Sequence, residues 1–183
     1  MKTIKNLKRI LEILYYILIG VCVLYSIIFA VFYFFGNTLL SPAYFLALEM
    51  SFNTFFSLKM ILIPLIISAN FILLTIAIYF LRKTIPFFMK SDFYNKDVIN
   101  LFKKVGNIFV FIGISTIIST LYSTVIIQNL TQKETFSTQF LFVFFSSFNL
   151  KSIFSITIGL FFLLFSKILE NSKELKQEND LTI

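Results

Sequence analysis

Four long apolar runs are the feature that most restricts how this chain can fold. They cover residues 13–35, 60–81, 105–128 and 150–169, and the first three contain no charged side chain. An α-helix rises about 1.5 Å per residue, so about 20 apolar residues cross a hydrocarbon core of about 30 Å. We therefore predict an all-α, polytopic membrane protein in which residues 1–183 form a single membrane domain with four transmembrane helices.

The composition argues against a soluble domain. Hydrophobic residues make up 58% of the chain and charged residues only 14%, which leaves too little polar surface to cover a core. The lipid bilayer is therefore the first predicted partner. We expect the protein in a bacterial inner or cytoplasmic membrane.

The basic residues indicate how the spans are oriented. Of the 16 Lys and Arg, 13 lie before the first run, between the second and third, or after the fourth. Only Lys59, Lys133 and Lys151 lie on the other side. Positive residues near span ends are retained in the cytoplasm, so both termini, the loop 82–104 and the tail 170–183 are predicted to be cytoplasmic. This topology accounts for the net charge of +7, and we expect no direct nucleic-acid binding.

The first run is predicted to be an uncleaved membrane anchor. It is too long for the apolar part of a signal peptide, and it lacks a small-x-small cleavage site. Val21 is too bulky to precede a lipid-modified cysteine. Cys22, the single cysteine, is therefore expected to be a small packing residue.

Two further segments are rich in apolar residues. Residues 37–58 contain Ser41 followed by Pro42, a pattern typical of a helix start, and are predicted to form a short helix on the outer membrane surface. Residues 135–150 are uncharged but short for a bilayer crossing. They form either an outer interfacial segment or the beginning of the last helix.

Polar residues inside the spans are candidates for helix packing or for function, because lipid penalises them. Asn70 lies near the middle of the second span, where it could bond to another helix or bind a substrate. In the third span Ser115, Ser119 and Ser123 recur every four residues and share one helix face. This stripe indicates close packing against another helix, and a water-lined pore is the alternative.

The sequence offers little support for an enzyme. Without histidine there is no imidazole base or metal ligand, and the spans contain no paired acids. No catalytic-serine pattern and no phosphate-binding glycine loop is present. We therefore expect no enzymatic activity, no catalytic residue, no metal and no cofactor.

Two cytoplasmic segments are more distinctive. Asn95 can cap a helix in which Val98, Leu101 and Phe102 follow helical spacing, and this helix is predicted to continue into the third span. The chain ends in Leu-Lys-Gln-Glu-Asn-Asp-Leu-Thr-Ile over residues 175–183, predicted to extend the last helix beyond the interface.

These segments resemble a family of small bacterial four-helix membrane proteins, the domain of unknown function 2975 family. The resemblance rests on the terminal sequence 175–183 and on Pro86-Phe87 followed by Asn95, Leu101 and Gly106. The size and the four-span plan extend it over nearly the whole chain. It implies no established activity, but it suggests a partner, because such genes often neighbour that of a small helix-turn-helix transcription regulator.

The leading hypothesis is a regulatory or partner-binding membrane protein that acts with this cytoplasmic regulator. An exposed chain end with apolar and acidic residues could dock in an apolar groove with a basic rim. The predicted partner interface consists of Glu178, Asn179, Asp180, Leu181, Thr182 and Ile183, together with Pro86 and Phe87. The alternative is a small transporter, a pore or a subunit of an export complex, for which a polar path through the bundle would argue.

Overall fold

The structure is a computed structural model that describes residues 2–39, 58–130 and 150–181, with side-chain surroundings for 3–31, 61–126 and 150–178. The described residues form four α-helices: α1 Lys2–Leu39, α2 Leu58–Met89, α3 Lys96–Leu130 and α4 Leu150–Leu181. The helix predicted after Ser41, and residues 135–149, lie outside the described part of the chain.

Each of the four helices is long and apolar enough to cross a membrane, which confirms the all-α, multi-pass fold. The helices are longer than the apolar runs because charged segments continue them at one end. A helix of 32 residues such as α4 is about 48 Å long, well beyond a core of about 30 Å. Part of each helix therefore reaches past the hydrocarbon region.

A tight turn with specific backbone bonds connects α2 to α3. The amide of Asp92 donates to the carbonyl of Phe87 at 3.0 Å and that of Ser91 to Phe88 at 3.3 Å, the Schellman pattern of a helix end. Ser91 accordingly has a φ of 58°, in the left-handed region. The Oδ1 atom of Asn95 accepts a bond from the amide of Asp97 at 2.9 Å, so Asn95 caps α3.

The helices form a row in which each neighbour runs in the opposite direction. α1 packs on α2, α2 on α3, and α3 most extensively on α4. We call the end of the row that holds Lys2, Met89, Lys96 and Leu181 the basic end, because most of the Lys and Arg residues lie in the segments there.

A cluster of buried apolar side chains closes the basic end. Its members are Val98, Ile99 and Phe102 of α3 and Leu169 of α4. The ring of Phe102 contacts those of Phe88 on α2 and Phe165 on α4, with centroids 6.0 and 5.1 Å away. α2, α3 and α4 therefore share one core at this end.

α1 lies at the edge of the row. None of its described side chains over residues 3–31 is buried. Large apolar side chains are exposed around much of its surface, Leu24 at 60% and Ile17 at 58% among them. Such a surface is suited to contact with lipid. The packing of α1 on the rest of the protein is mainly against α2.

Candidate functional site

Two kinds of feature in the structure could carry function: the seams between helices and the surface at the basic end. The strongest seam joins α3 and α4. A Cβ atom built on Gly159 would lie 2.7 Å from the amide nitrogen of Val110 and 2.8 Å from the carbonyl of Gly106. One built on Gly113 would overlap Ile156 and lie 3.0 Å from the carbonyl of Ser152. Only glycine allows the backbones to approach this closely.

The seam repeats every seven residues on both helices. Gly106 faces Gly159, Gly113 faces Ser152, and the Ser166 hydroxyl donates to the Ile99 carbonyl at 3.0 Å. Ser152 and Ser166 are both buried. A seven-residue repeat of small side chains keeps one stripe of each helix against its neighbour, as in left-handed helix pairs.

Sequence reasoning missed this seam. The signal was present in the spacing of Ser152, Gly159 and Ser166, which are seven residues apart, and in Gly106 and Gly113. Hydroxyl side chains are more numerous on α3, and they favoured the serine stripe as the predicted packing surface.

The predicted packing serines lie on the inner side of α3 to different degrees. Ser119 is buried, while Ser115 and Ser123 are half-buried. The Ser119 hydroxyl donates to the Thr116 carbonyl at 3.0 Å and that of Ser123 to the Thr120 carbonyl at 2.9 Å. These hydroxyls bond to their own helix, which satisfies them without a partner helix or water.

Asn70 is half-buried near the middle of α2. Its Oδ1 atom is shielded and has no hydrogen-bond partner among the described residues. α2 and α3 are antiparallel, and Phe88 lies beside Phe102. Continuing this register along both helices places Asn70 at about the depth of Ser119. An unsatisfied amide oxygen in an apolar region costs about 1–3 kcal/mol.

The predicted partner-interface residues divide between the core and the surface. Phe87 is half-buried and packs against the apolar cluster, whereas Pro86 is exposed. Glu178 is exposed on α4. Asn179, Asp180 and Leu181 complete the helix, but their side chains, together with Thr182 and Ile183, lie outside the described part.

The α4 extension, residues 170–181, lies beside the α2–α3 turn. The Nζ atom of Lys176 is 6.0 Å from the centroid of the Tyr94 ring, which joins two segments that are far apart in sequence. Leu175 is 62% exposed, and Glu174 and Glu178 are exposed near it. This extension could contact a partner with an apolar and a charged component.

A groove lies between α2 and α3 near the turn that connects them. It has a volume of about 420 Å³, and its lining combines the apolar side chains of Phe87 and Leu101 with polar side chains. The polar lining residues are Lys83, Asp97, Lys104 and Asn100, of which the first three are charged. Such a groove can bind side chains of a partner but offers no nucleophile paired with a base.

Near the basic end, Arg82 of α2 contacts aromatic rings of α1. The guanidinium carbon of Arg82 lies 4.5 Å from the centroid of the Tyr15 ring and 5.9 Å from that of Tyr16. The Nζ atom of Lys83 lies 5.1 Å from the Tyr79 ring centroid. These are cation–π distances, so the aromatic residues near the basic end hold the cations in place.

The family description "Protein of unknown function (DUF2975)" belongs to a family model that matches residues 53–183. The match includes α2, α3 and α4 and leaves α1 outside. Neither a curated protein nor a solved structure matches the chain.

Proposed function

We propose that this chain, which belongs to the DUF2975 family, is a membrane-bound regulatory protein that binds a cytoplasmic partner at its basic end. The carrying observation is the position of the α4 extension. It lies against the α2–α3 turn through Lys176 and Tyr94, above the buried cluster around Phe102. A surface held by a packed core loses little conformational entropy when it binds.

The partner we propose is a helix-turn-helix transcription regulator, as the family resemblance suggests. Such regulators use basic side chains to contact DNA phosphates. The exposed carboxylates of Glu174 and Glu178, on either side of the exposed Leu175, complement a basic surface with an apolar component. Binding at the membrane would then compete with binding to DNA.

This proposal requires the basic end to face the cytoplasm of a bacterial cell. The distribution of Lys and Arg supports that orientation. Single cysteines at Ser91, Asn179, Asn37 and Thr131, each in a Cys22→Ser background, test it with a membrane-impermeant thiol reagent on intact cells. Labelling is expected at Asn37 and Thr131 alone, and labelling at Asn179 would contradict the four-span arrangement.

The docking test compares the full-length protein with a chain truncated after Gln177 and with the variant Leu175→Ala. The control is Leu160→Ala, because Leu160 is similarly exposed on the apolar part of α4. We expect both changes in the extension, but not the control, to reduce recovery of the regulator from membranes and to alter transcription of adjacent genes. If all four proteins insert normally and behave alike, the docking proposal is wrong.

A small transporter, a pore or an export-complex subunit is the second candidate, favoured by one observation. The shielded Oδ1 atom of Asn70 could bind a polar solute within the membrane. Proteoliposomes that contain Asn70→Leu would then lose a solute flux that the unchanged protein supports. If Asn70 only fills space, the variant would retain any flux and unfold at a similar or higher temperature.

A further inference from the structure

The seam between α1 and α2 contains a basic recess at the level where the helices leave their apolar segments. This recess has a volume of about 310 Å³ and lies between the first turns of α1 and the last turns of α2. Three cations and one carboxylate contribute to its lining: Lys8, Arg82 and Lys83 against Glu12. The recess therefore carries an excess of positive charge.

The side chains of the recess are held in position but retain donors for a ligand. Lys8 and Glu12 form an ion pair at 3.8 Å, and Arg82 stacks on Tyr15. The contact with the ring leaves N–H groups of the guanidinium that can donate to an anion. Phosphate oxygens are suitable acceptors for this geometry.

An apolar groove lies farther along the same seam. This groove between α1 and α2 has a volume of about 260 Å³, and its lining includes Val23, Ile27, Phe71 and Ile72. On α2, the lining positions 86, 82, 79, 72 and 68 are three, four or seven residues apart, so they share one helix face. This face of α2 therefore forms a strip that runs past both spaces.

The length of this strip fits one leaflet. Arg82 and Ile72 are ten residues apart, or about 15 Å along the helix, which is half of a hydrocarbon core of about 30 Å. Val23 is 52% and Ile72 53% exposed, so the groove is open to the lipid side of the row. The basic recess thus lies at one end of the strip and the apolar groove at the other, which matches the charged headgroup and the apolar acyl chains of a phospholipid.

We propose that the α1–α2 seam is a binding site for an anionic phospholipid, with the headgroup phosphate at Lys8, Arg82 and Lys83 and an acyl chain along the groove. Lys83 also lines the groove between α2 and α3, but lipid binding to the purified protein can be measured without the proposed regulator. Lipid bound there would contact α1 and α2 at the same time and hold the edge helix in place.

The test uses the full-length protein in a neutral detergent, with native mass spectrometry as the readout. Phosphatidylglycerol and phosphatidylcholine with identical acyl chains are offered together. A basic residue near an anionic lipid surface contributes about fivefold in affinity, so the double variant Lys8→Gln/Lys83→Gln should reduce the preference for phosphatidylglycerol about twenty-fivefold. The control Lys90→Gln/Lys96→Gln removes two exposed charges at the turn and should leave the preference unchanged.

A second variant tests the groove separately from the charge. Ile72→Phe narrows the apolar space and keeps every cation, so total lipid binding should fall while the preference between headgroups stays the same. Glycerol 3-phosphate, which has no acyl chains, should not displace the lipid. Equal binding of both lipids, an equal loss in the control, displacement by glycerol 3-phosphate, or a protein dimer that excludes lipid would each overturn the proposal.

Discussion

The α3–α4 and α1–α2 seams join helices of similar length and hydropathy by different means. Between α3 and α4 the backbones touch through Gly106, Gly113 and Gly159. Between α1 and α2 the contacts are made by side chains, such as Tyr15 with Arg82 and Cys22 with Thr75 at 3.7 Å. Gly20 of α1 is exposed, and a Cβ atom added there meets nothing within 4 Å.

This difference shows which pair of helices in the row is packed most closely. Lipid tails are as apolar as leucine, so burial alone does not drive two such helices together, and close packing and interhelical bonds decide the association. The α3–α4 pair has both, and it carries the apolar cluster of the basic end. α1 has fewer and looser contacts, and the family match stops short of it.

The largest expected effect breaks the tight seam. Gly159→Leu places side-chain atoms against the backbone of Val110 and Gly106, and we expect the free energy of unfolding to fall by about 3 kcal/mol. Gly20→Leu is the matched control in an open position and should not destabilise the protein. Thermal unfolding in detergent measures both, and similar midpoints for the two variants would show that α3 and α4 are not in close contact.

A second change asks whether the serine stripe belongs with the tight seam. Ser119 is buried, so Ser119→Leu should cost about 2 kcal/mol through steric overlap. Ile118→Leu alters an exposed neighbour and should cost much less. The same unfolding assay applies, and equal stability of the two variants would place the stripe toward lipid.

The loose seam is tested through Tyr15. Tyr15→Leu removes the ring on which Arg82 stacks, and the loss should be about 1 kcal/mol. The same unfolding assay measures this loss, because the contact between α1 and α2 is then weaker. Tyr16→Leu is the control, since Tyr16 is 65% exposed and lies farther from Arg82. An unchanged unfolding midpoint in Tyr15→Leu would mean that this contact does not hold α1.

The smallest effect concerns the interhelical bond of the tight seam. Ser166→Ala removes the donor to the Ile99 carbonyl and should lower stability by about 0.6 kcal/mol, typical of such bonds in membrane proteins. Ser155→Ala removes a bond within α4 itself, to the Lys151 carbonyl, and should have almost no effect. If Ser155→Ala proves the more costly, the bond across the seam contributes nothing of its own.

Much of the local architecture followed from the sequence. The apolar runs predicted all four helices, because the length needed to cross a bilayer is a property of each segment alone. The start of α3 at Asn95 was also local, since a capping side chain reaches only the next turn. The short terminal motif indicated the family that the match over residues 53–183 established.

The pairing of the helices was decided by the tertiary structure. The spacing marks two stripes of small residues on α3, the serines 115, 119 and 123 and the glycines 106 and 113, but it does not say which stripe meets α4. That depends on the antiparallel register that brings Gly106 to Gly159 and Ile99 to Ser166, across more than fifty intervening residues. Hydropathy is a property of one segment, whereas a seam requires two surfaces to fit, and only the folded chain brings both together.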